Sequence, residues 1–254
     1  MNTPALTTAI RQLQAAQSVA VITGAGISAE SGIPTFRGAG GLWKDFNVAD
    51  LATPEAFARN PARVWEWYAW RRREYGQAQP NPAHLTIAAM EHFYQRFLVI
   101  TQNVDTLHAK AGSVKLLEIH GNIEQARCTK CAAVFDHPDA LPPDGLVWCP
   151  LCGALARPHI VWFGEQYDPA LMDQALTFLT STEVVIVVGT SGMVTTPVYL
   201  TLQAIENGAY ALDINPEASE VSAYVHLHLR EKAGIALPQL WQAVTATARD
   251  CRSL

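Results

Sequence analysis

Four of the five cysteines form two close pairs, Cys128-Thr129-Lys130-Cys131 and Cys149-Pro150-Leu151-Cys152, with 17 residues between them. Two CxxC units at this spacing match a zinc ribbon, in which each pair supplies two thiolates to a tetrahedral ion. A redox dithiol would need only one of the pairs. Four thiolates leave no open coordination position, so the expectation is one structural Zn2+ rather than a catalytic one. Cys251 stands apart and has no partner in the pattern.

A second group of residues follows short apolar runs. Gln102-Asn103-Val104-Asp105 comes directly after Phe97–Thr101, Gly189-Thr190-Ser191 after Glu183–Val188, and Asn215 after Tyr210–Ile214. Any one of these would pass as loop chemistry. The three together match the way a doubly wound sheet presents polar groups to a ligand at its strand ends. Gly24-Ala25-Gly26 follows Ser18–Thr23 in the same manner, and its glycines would let backbone N–H groups and a helix start approach a pyrophosphate. The next glycine, Gly32, comes too late for GxGxxG, so a plain tight turn is equally compatible. His120, in Glu118-Ile119-His120-Gly121-Asn122, also ends a strand-like run. There an imidazole suits general-base work near neutral pH, and His84, His108 and His159 have weaker claims.

A third candidate is Trp65-Glu66-Trp67-Tyr68-Ala69-Trp70-Arg71-Arg72-Arg73-Glu74-Tyr75, which sets three tryptophans beside three arginines. In a helix Tyr68 and Arg71 share a face. The tryptophans read as packing, and Arg72 and Arg73 as one turn of solvated surface.

The elements that must carry these groups are short and apolar. Ser18–Thr23, Phe97–Thr101, Leu116–Ile119, Glu183–Gly189 and Ala209–Asn215 read as strands; Pro54–Tyr75, Ala83–Gln95 and Pro197–Asn207 have helical character, and the N-terminus reads as a first helix. Strands that are apolar throughout and separated by helices imply a parallel sheet covered on both faces. The expected fold is α/β. A Rossmann-like domain is assigned to 1–41, 79–127 and 156–254, and a small helical and zinc-binding domain to 42–78 and 128–155, with a ligand cleft between them.

Composition limits the classes of function. Hydrophobic residues make up 49% of 254 and charged residues 16%, against about 25% in an average soluble domain, so the chain is globular. A net charge of −5 excludes a general nucleic-acid binder. No apolar run approaches the ~20 residues of a membrane span, and the first residues lack the basic and apolar regions of a secretory signal. Cysteines paired as metal thiolates suit a reducing compartment, so a cytoplasmic location is expected.

Gly24–Gly38 (GAGISAESGIPTFRG), Thr101–His108 (TQNVDTLH), Ile119–Asn122, the cysteine pairs, Val161–Glu165 (VWFGE), Gly189–Ser191 and Ile214-Asn215 together resemble the sirtuin family, in family order, from about residue 10 to 245. The resemblance implies an NAD-dependent protein-lysine deacylase. In that family the acyl oxygen attacks the nicotinamide ribose, nicotinamide leaves, and a histidine, here His120, activates a ribose hydroxyl. The products are free lysine, nicotinamide and O-acyl-ADP-ribose. It further implies that Gly24, Ala25, Gly26, Glu30, Phe36 and Arg37 belong to the cofactor loop, and that Gln102, Asn103 and Asp105 surround the nicotinamide and ribose, Asn103 sharing the catalytic role. Gly189, Thr190, Ser191, Asn215 and Glu217 would hold the adenosine half, with Ala233 near the adenine. Val161, Trp162, Phe163 and Gly164 resemble the strand that pairs with a substrate peptide.

Two departures from the common pattern stand out: Thr35 where many members have Asp, and Thr195-Thr196 in the block after Gly189–Ser191. Thr35 and the Tyr-x-x-Arg of Tyr68 and Arg71 resemble the branch that handles acidic acyl groups. A succinyl or malonyl carboxylate can be taken bidentately by a guanidinium while a phenol adds a hydrogen bond; an acetyl group offers nothing to bind. The reading is therefore removal of succinyl and malonyl groups, with acetyl as a second activity. The alternatives are NAD hydrolysis or ADP-ribosyl transfer at the same site and, in another class, a non-catalytic NAD-sensing module.

Overall fold

The computed structural model describes residues 3–35, 47–137 and 140–250. Six strands form a parallel sheet: β1 (Ser18–Thr23), β2 (Arg96–Thr101), β3 (Leu116–Glu118), β8 (Val184–Val188), β9 (Tyr210–Ile214) and β10 (Leu227–Leu229), in the order β10-β9-β8-β1-β2-β3. The connections run outward from β1 in both directions, so the chain reverses its winding between β1 and β8. That is where an open α/β sheet leaves a crevice at its carboxyl ends.

Alternation within the strands serves two cores. Val19 and Val21 of β1, Val99 of β2 and Ile186 of β8 face helices α1 (Pro4–Ala15), α5 (Pro82–Phe93) and α9 (Ala233–Asp250). Ala20, Ile22, Ile100 and Val185 face α7 (Pro169–Leu179) and α8 (Thr195–Glu206). Both faces being covered explains why these strands read as unbroken apolar runs.

The second sheet is antiparallel and has four strands, β4 (Gly121–Cys128), β5 (Val134–Asp136), β6 (Val147–Trp148) and β7 (Leu155–Ile160), ordered β5-β4-β7-β6. Against it pack α2 (Val48–Leu51), α3 (Pro54–Arg59) and α4 (Pro61–Tyr75). The stretch of helical character from Pro54 to Tyr75 is thus two helices. Pro61 has no N–H to continue α3, and Asn60 ends α3 while its Oδ1 accepts from the Arg63 N–H to start α4. Trp65 anchors α4: its ring is fully buried and its Nε1–H donates to the Ala156 carbonyl at 3.0 Å. The fold class is the one expected, a parallel α/β sheet with a smaller cysteine-bearing unit. Among the described residues, no helix is long and apolar enough to cross a membrane.

Candidate active site and zinc centre

The loops after β1 and β8 are bound to each other. Gly24 N–H donates to Val188 O at 3.0 Å and Gly26 N–H to Gly189 O at 2.8 Å. A Cβ on Gly26 would stand 2.7 Å from that oxygen, and one on Gly189, whose φ is +62°, 2.4 Å from the Ile27 nitrogen. These glycines are required by the contact between two backbones, a packing reason that stands beside the ligand-approach reason expected from the sequence. The chain then runs through a seven-residue 3-10 helix, Ala25–Ser31, rather than into an α-helix. Glu30 reaches the start of α9, where its Oε2 accepts the Gly234 N–H at 2.7 Å beside the buried Ala233.

At the end of β2, Gln102 Nε2–H donates to Thr190 Oγ1 at 3.1 Å, and Asn215 Nδ2–H donates to Thr190 O at 2.8 Å. Asn103 is buried, with its Nδ2–H groups on Gly24 O at 3.2 Å and Ser28 Oγ at 3.1 Å. Ser28 in turn donates to Asp105 Oδ2 at 2.7 Å. Four strand ends thus share one hydrogen-bonded floor. Ser191 and Glu217 lie on its exposed rim. Phe36 and Arg37 fall outside the described residues.

His120 sits between β3 and β4. Its Nδ1 is 2.8 Å from Gln102 O and its Nε2 3.1 Å from the Tyr167 hydroxyl. A carbonyl only accepts, so Nδ1 carries the proton and Nε2 the lone pair. Burial, opposed by the Gln102 carbonyl, pushes the imidazole down to about 4, so it is neutral at pH 7 with an accepting Nε2. Such a ring can take a proton from a hydroxyl brought to Nε2. Gly121, at φ +85°, makes the turn possible, because a Cβ there would lie 1.9 Å from His159 O.

Behind this floor His84 and His108, the latter in the short helix α6 (Leu107–Lys110), form a buried edge-to-face pair, ring centroids 4.9 Å apart. His108 Nε2 lies 2.9 Å from Thr23 Oγ1. Burial lowers His108 to about 3 and His84 to about 4. His84 Nδ1 accepts the Asn81 N–H in a capping box, a structural use in keeping with its weaker claim.

Tyr68 and Arg71 lie on the buried face of α4, 2% and 6% exposed. The Tyr68 hydroxyl accepts from Trp162 Nε1–H at 2.9 Å. The Arg157 guanidinium covers the Trp162 ring at 3.4 Å and is paired with Glu165, whose Oε2 also accepts the Trp162 N–H at 2.8 Å. Arg71 stacks 4.9 Å over the Trp67 ring and 5.7 Å over Tyr68. Burial weakens Arg71 as a base, and Tyr68, Asp105 and Tyr75 oppose that shift, so the guanidinium feels the carboxylate at the end of β2.

Two local expectations change. Arg72 is not solvated: it pairs with Glu124 and lies 3.0 Å from His137 Nδ1, its side chain 8% exposed, while Arg73 is exposed as expected. Val161–Gly164 is not a strand, since β7 stops at Ile160 and a turn follows. The N–H groups of Val161, Trp162 and Phe163 already donate to His120 O, Glu165 Oε2 and Ala52 O. The Trp162 carbonyl in turn accepts the Glu165 N–H at 3.1 Å. The Arg157–Glu165 brace that shapes this turn was not expected from the sequence, because the two charges meet over Trp162 only once β7 and the turn are folded.

The four cysteine sulfurs lie within 4.8 Å of one another, with Cys128–Cys152 at 3.5 Å and Cys131–Cys149 at 3.7 Å. A tetrahedral ion with Zn–S of about 2.3 Å spaces its ligands about 3.8 Å apart, so the residues fit one zinc. The N–H groups of Cys131 and Lys130, each 3.3 Å from Cys128 Sγ, favour its thiolate, which Cys131 first and Lys130 next help bring to about 6. Ala132 and Gly153, immediately after each pair, take left-handed φ of 59° and 68° to close the two knuckles.

The model of the Sir2 family matches residues 24–196. Proteins named NAD-dependent protein deacylase are similar to the chain: one from Leptospira interrogans (strain 56601) is 48% identical over 88% of this chain and 92% of its own, and one from Thermus thermophilus is 47% identical over 89% and 91%. Among solved structures, a Sir2 homologue–NAD complex superposes with a TM-score of 0.88 at 39% identity, covering 95% of this chain and 94% of that one. A Sir2 complex with a deacetylated peptide and 3′-O-acetyl-ADP-ribose superposes at 0.81 and 28% identity, covering 95% and 98%.

Proposed function

The chain belongs to the Sir2 family and is an NAD-dependent protein deacylase, and we propose that the acyl groups it removes most readily end in a carboxylate, succinyl and malonyl, with acetyl as a second activity. The observation that carries the acyl reading is the buried guanidinium of Arg71 beside the Tyr68 phenol, within electrostatic reach of Asp105. A guanidinium held away from water is worth most to an anionic group that enters with it, and it gains nothing from a methyl.

The polar floor fits a dinucleotide: amide, hydroxyl and carboxylate groups from four strand ends converge on the crevice where the sheet reverses. Bound NAD supplies an electrophilic ribose carbon with nicotinamide as its leaving group. Asn103, Ser28 and Asp105 orient what binds above them through one another. His120, neutral and tethered through Nδ1, accepts the proton of a ribose hydroxyl at Nε2. The Trp162–Tyr68 bond aims the phenol that flanks the acyl chain, and the turn at Val161–Gly164 offers carbonyl groups to the peptide backbone. Cys128, Cys131, Cys149 and Cys152 hold the structural zinc, far in role from the chemistry.

Mass spectrometry of the products from NAD and a succinyl-lysine peptide tests this reading. O-succinyl-ADP-ribose should form in step with nicotinamide. Free ADP-ribose alone would indicate hydrolysis, and a labelled protein ADP-ribosyl transfer. His120→Ala should lower kcat by about 100- to 10,000-fold; an unchanged product yield would remove His120 from the role.

A further inference from the structure

Nε2 of His120 is already in use. Tyr167, which follows the Val161–Glu165 segment and is half-buried against the α7 and α8 side of the sheet, stacks on the imidazole with ring centroids 5.5 Å apart and 24° between planes. Its hydroxyl lies 3.1 Å from Nε2. Because Nδ1 donates to the Gln102 carbonyl, Nε2 has only a lone pair to offer, so the phenol is the donor. Burial pushes the Tyr167 phenol up, with the Thr196 side chain opposing that shift, so the hydroxyl keeps its proton and can donate. A short chain results: Tyr167 to His120 to the backbone of Gln102.

The reacting hydroxyl needs the same lone pair, and that lone pair accepts one good hydrogen bond. We propose that Tyr167 is a positioning residue that gates the base: its hydroxyl caps Nε2 of His120 in the free enzyme and yields that position to the ribose hydroxyl of the bound dinucleotide. The inference rests on His120 being the base. No covalent step is involved, only the exchange of one O–H···N bond for another. Glu118 accepts from Asn122 at 3.0 Å, and Asp105 accepts from Ser28. The side chain within hydrogen-bond distance of Nε2 is Tyr167, which is therefore the competitor for it.

The test is ¹⁵N NMR of the His120 imidazole at neutral pH, with its signals assigned by their loss in His120→Gln, alongside steady-state kinetics on an acyl-lysine peptide. In the free protein Tyr167→Phe should move the Nε2 resonance downfield, as a lone pair released from its donor does. With saturating ADP-ribose the wild type and Tyr167→Phe should give the same accepting Nε2 signal. Removing the competitor should lower the KM for NAD by about two- to tenfold with kcat kept. Thr196→Val, which leaves the phenol in place, should move the free-protein signal less. An unmoved Nε2 in free Tyr167→Phe, a difference that persists with ADP-ribose, or a kcat that falls with loss of the hydroxyl, as a proton relay requires, would each overturn the proposal. If His120→Ala kept full turnover while the Tyr167→Phe shift was seen, the base assignment would fail and the cap would stand.

Discussion

At the scale of single residues, the site depends on two side chains held in unusual states by burial. His120 is kept neutral with its proton assigned to Nδ1, and Arg71 is kept charged in a place where water does little for it. Replacing Arg71 by Met keeps the volume and removes the carboxylate partner. Arg71→Met should cut kcat/KM for a succinyl-lysine peptide by about 30-fold or more, with a much smaller change for the acetyl-lysine peptide; equal losses would mean that Arg71 serves the fold rather than the acyl group. Polar residues placed right after apolar runs were readable in the sequence, because such positions are strand ends, where a doubly wound sheet gathers polar groups. Asn103, Asp105, His120 and Thr190 were found this way. Tyr167 and Arg72 were not: Tyr167 belonged to no pattern, Arg72 was expected on solvated surface, and each gains its meaning only from a partner across the fold, His120 or Glu124.

At the scale of elements, the two sheets use their glycines and cysteines differently. The Gly24–Gly26 and Gly189 loops lock β1 to β8 through backbone contacts, whereas the small sheet relies on a metal at its tip. Removing zinc with a chelator, or Cys149→Ser, should lower the melting temperature by more than about 5 °C, measured by circular dichroism. A stripped protein that melts at the original temperature would contradict a structural ion. Period and length identified β1, β2, β3, β8 and β9 and the helices near Pro54, Ala83 and Pro197, and the cysteine spacing announced its own site, whereas α7, α9 and β10 were not read. The break at Asn60-Pro61 and the turn at Val161–Gly164 were harder, because both depend on side-chain caps, Asn60 on Arg63 and Glu165 on Trp162, that compete with a regular ladder.

At the scale of the whole molecule, three histidines, His84 and His108 buried and His120 half-buried, make stability depend on pH. His84, His108 and His120 have folded values of about 4, 3 and 4, below the ordinary value near 6.5. A depressed histidine gives its full stabilisation above its unfolded value and loses it as pH falls toward the folded one. Stability should therefore be level above about pH 7 and decline from about pH 6.5 to 4, each histidine contributing up to about 1.4 kcal/mol per unit of pH. Chemical denaturation at a series of pH values measures this, and a flat profile would mean the three rings are not buried neutral. In the proposed reading the reaction belongs to the dinucleotide crevice, and the choice of acyl group to Tyr68 and Arg71 on helix α4 of the smaller unit. The most direct test of that account is the catalytic efficiency of the unmodified enzyme on acetyl-, malonyl- and succinyl-lysine forms of one peptide. The account predicts kcat/KM for succinyl and malonyl above that for acetyl; an acetyl peptide turned over as well as or better than both would contradict it.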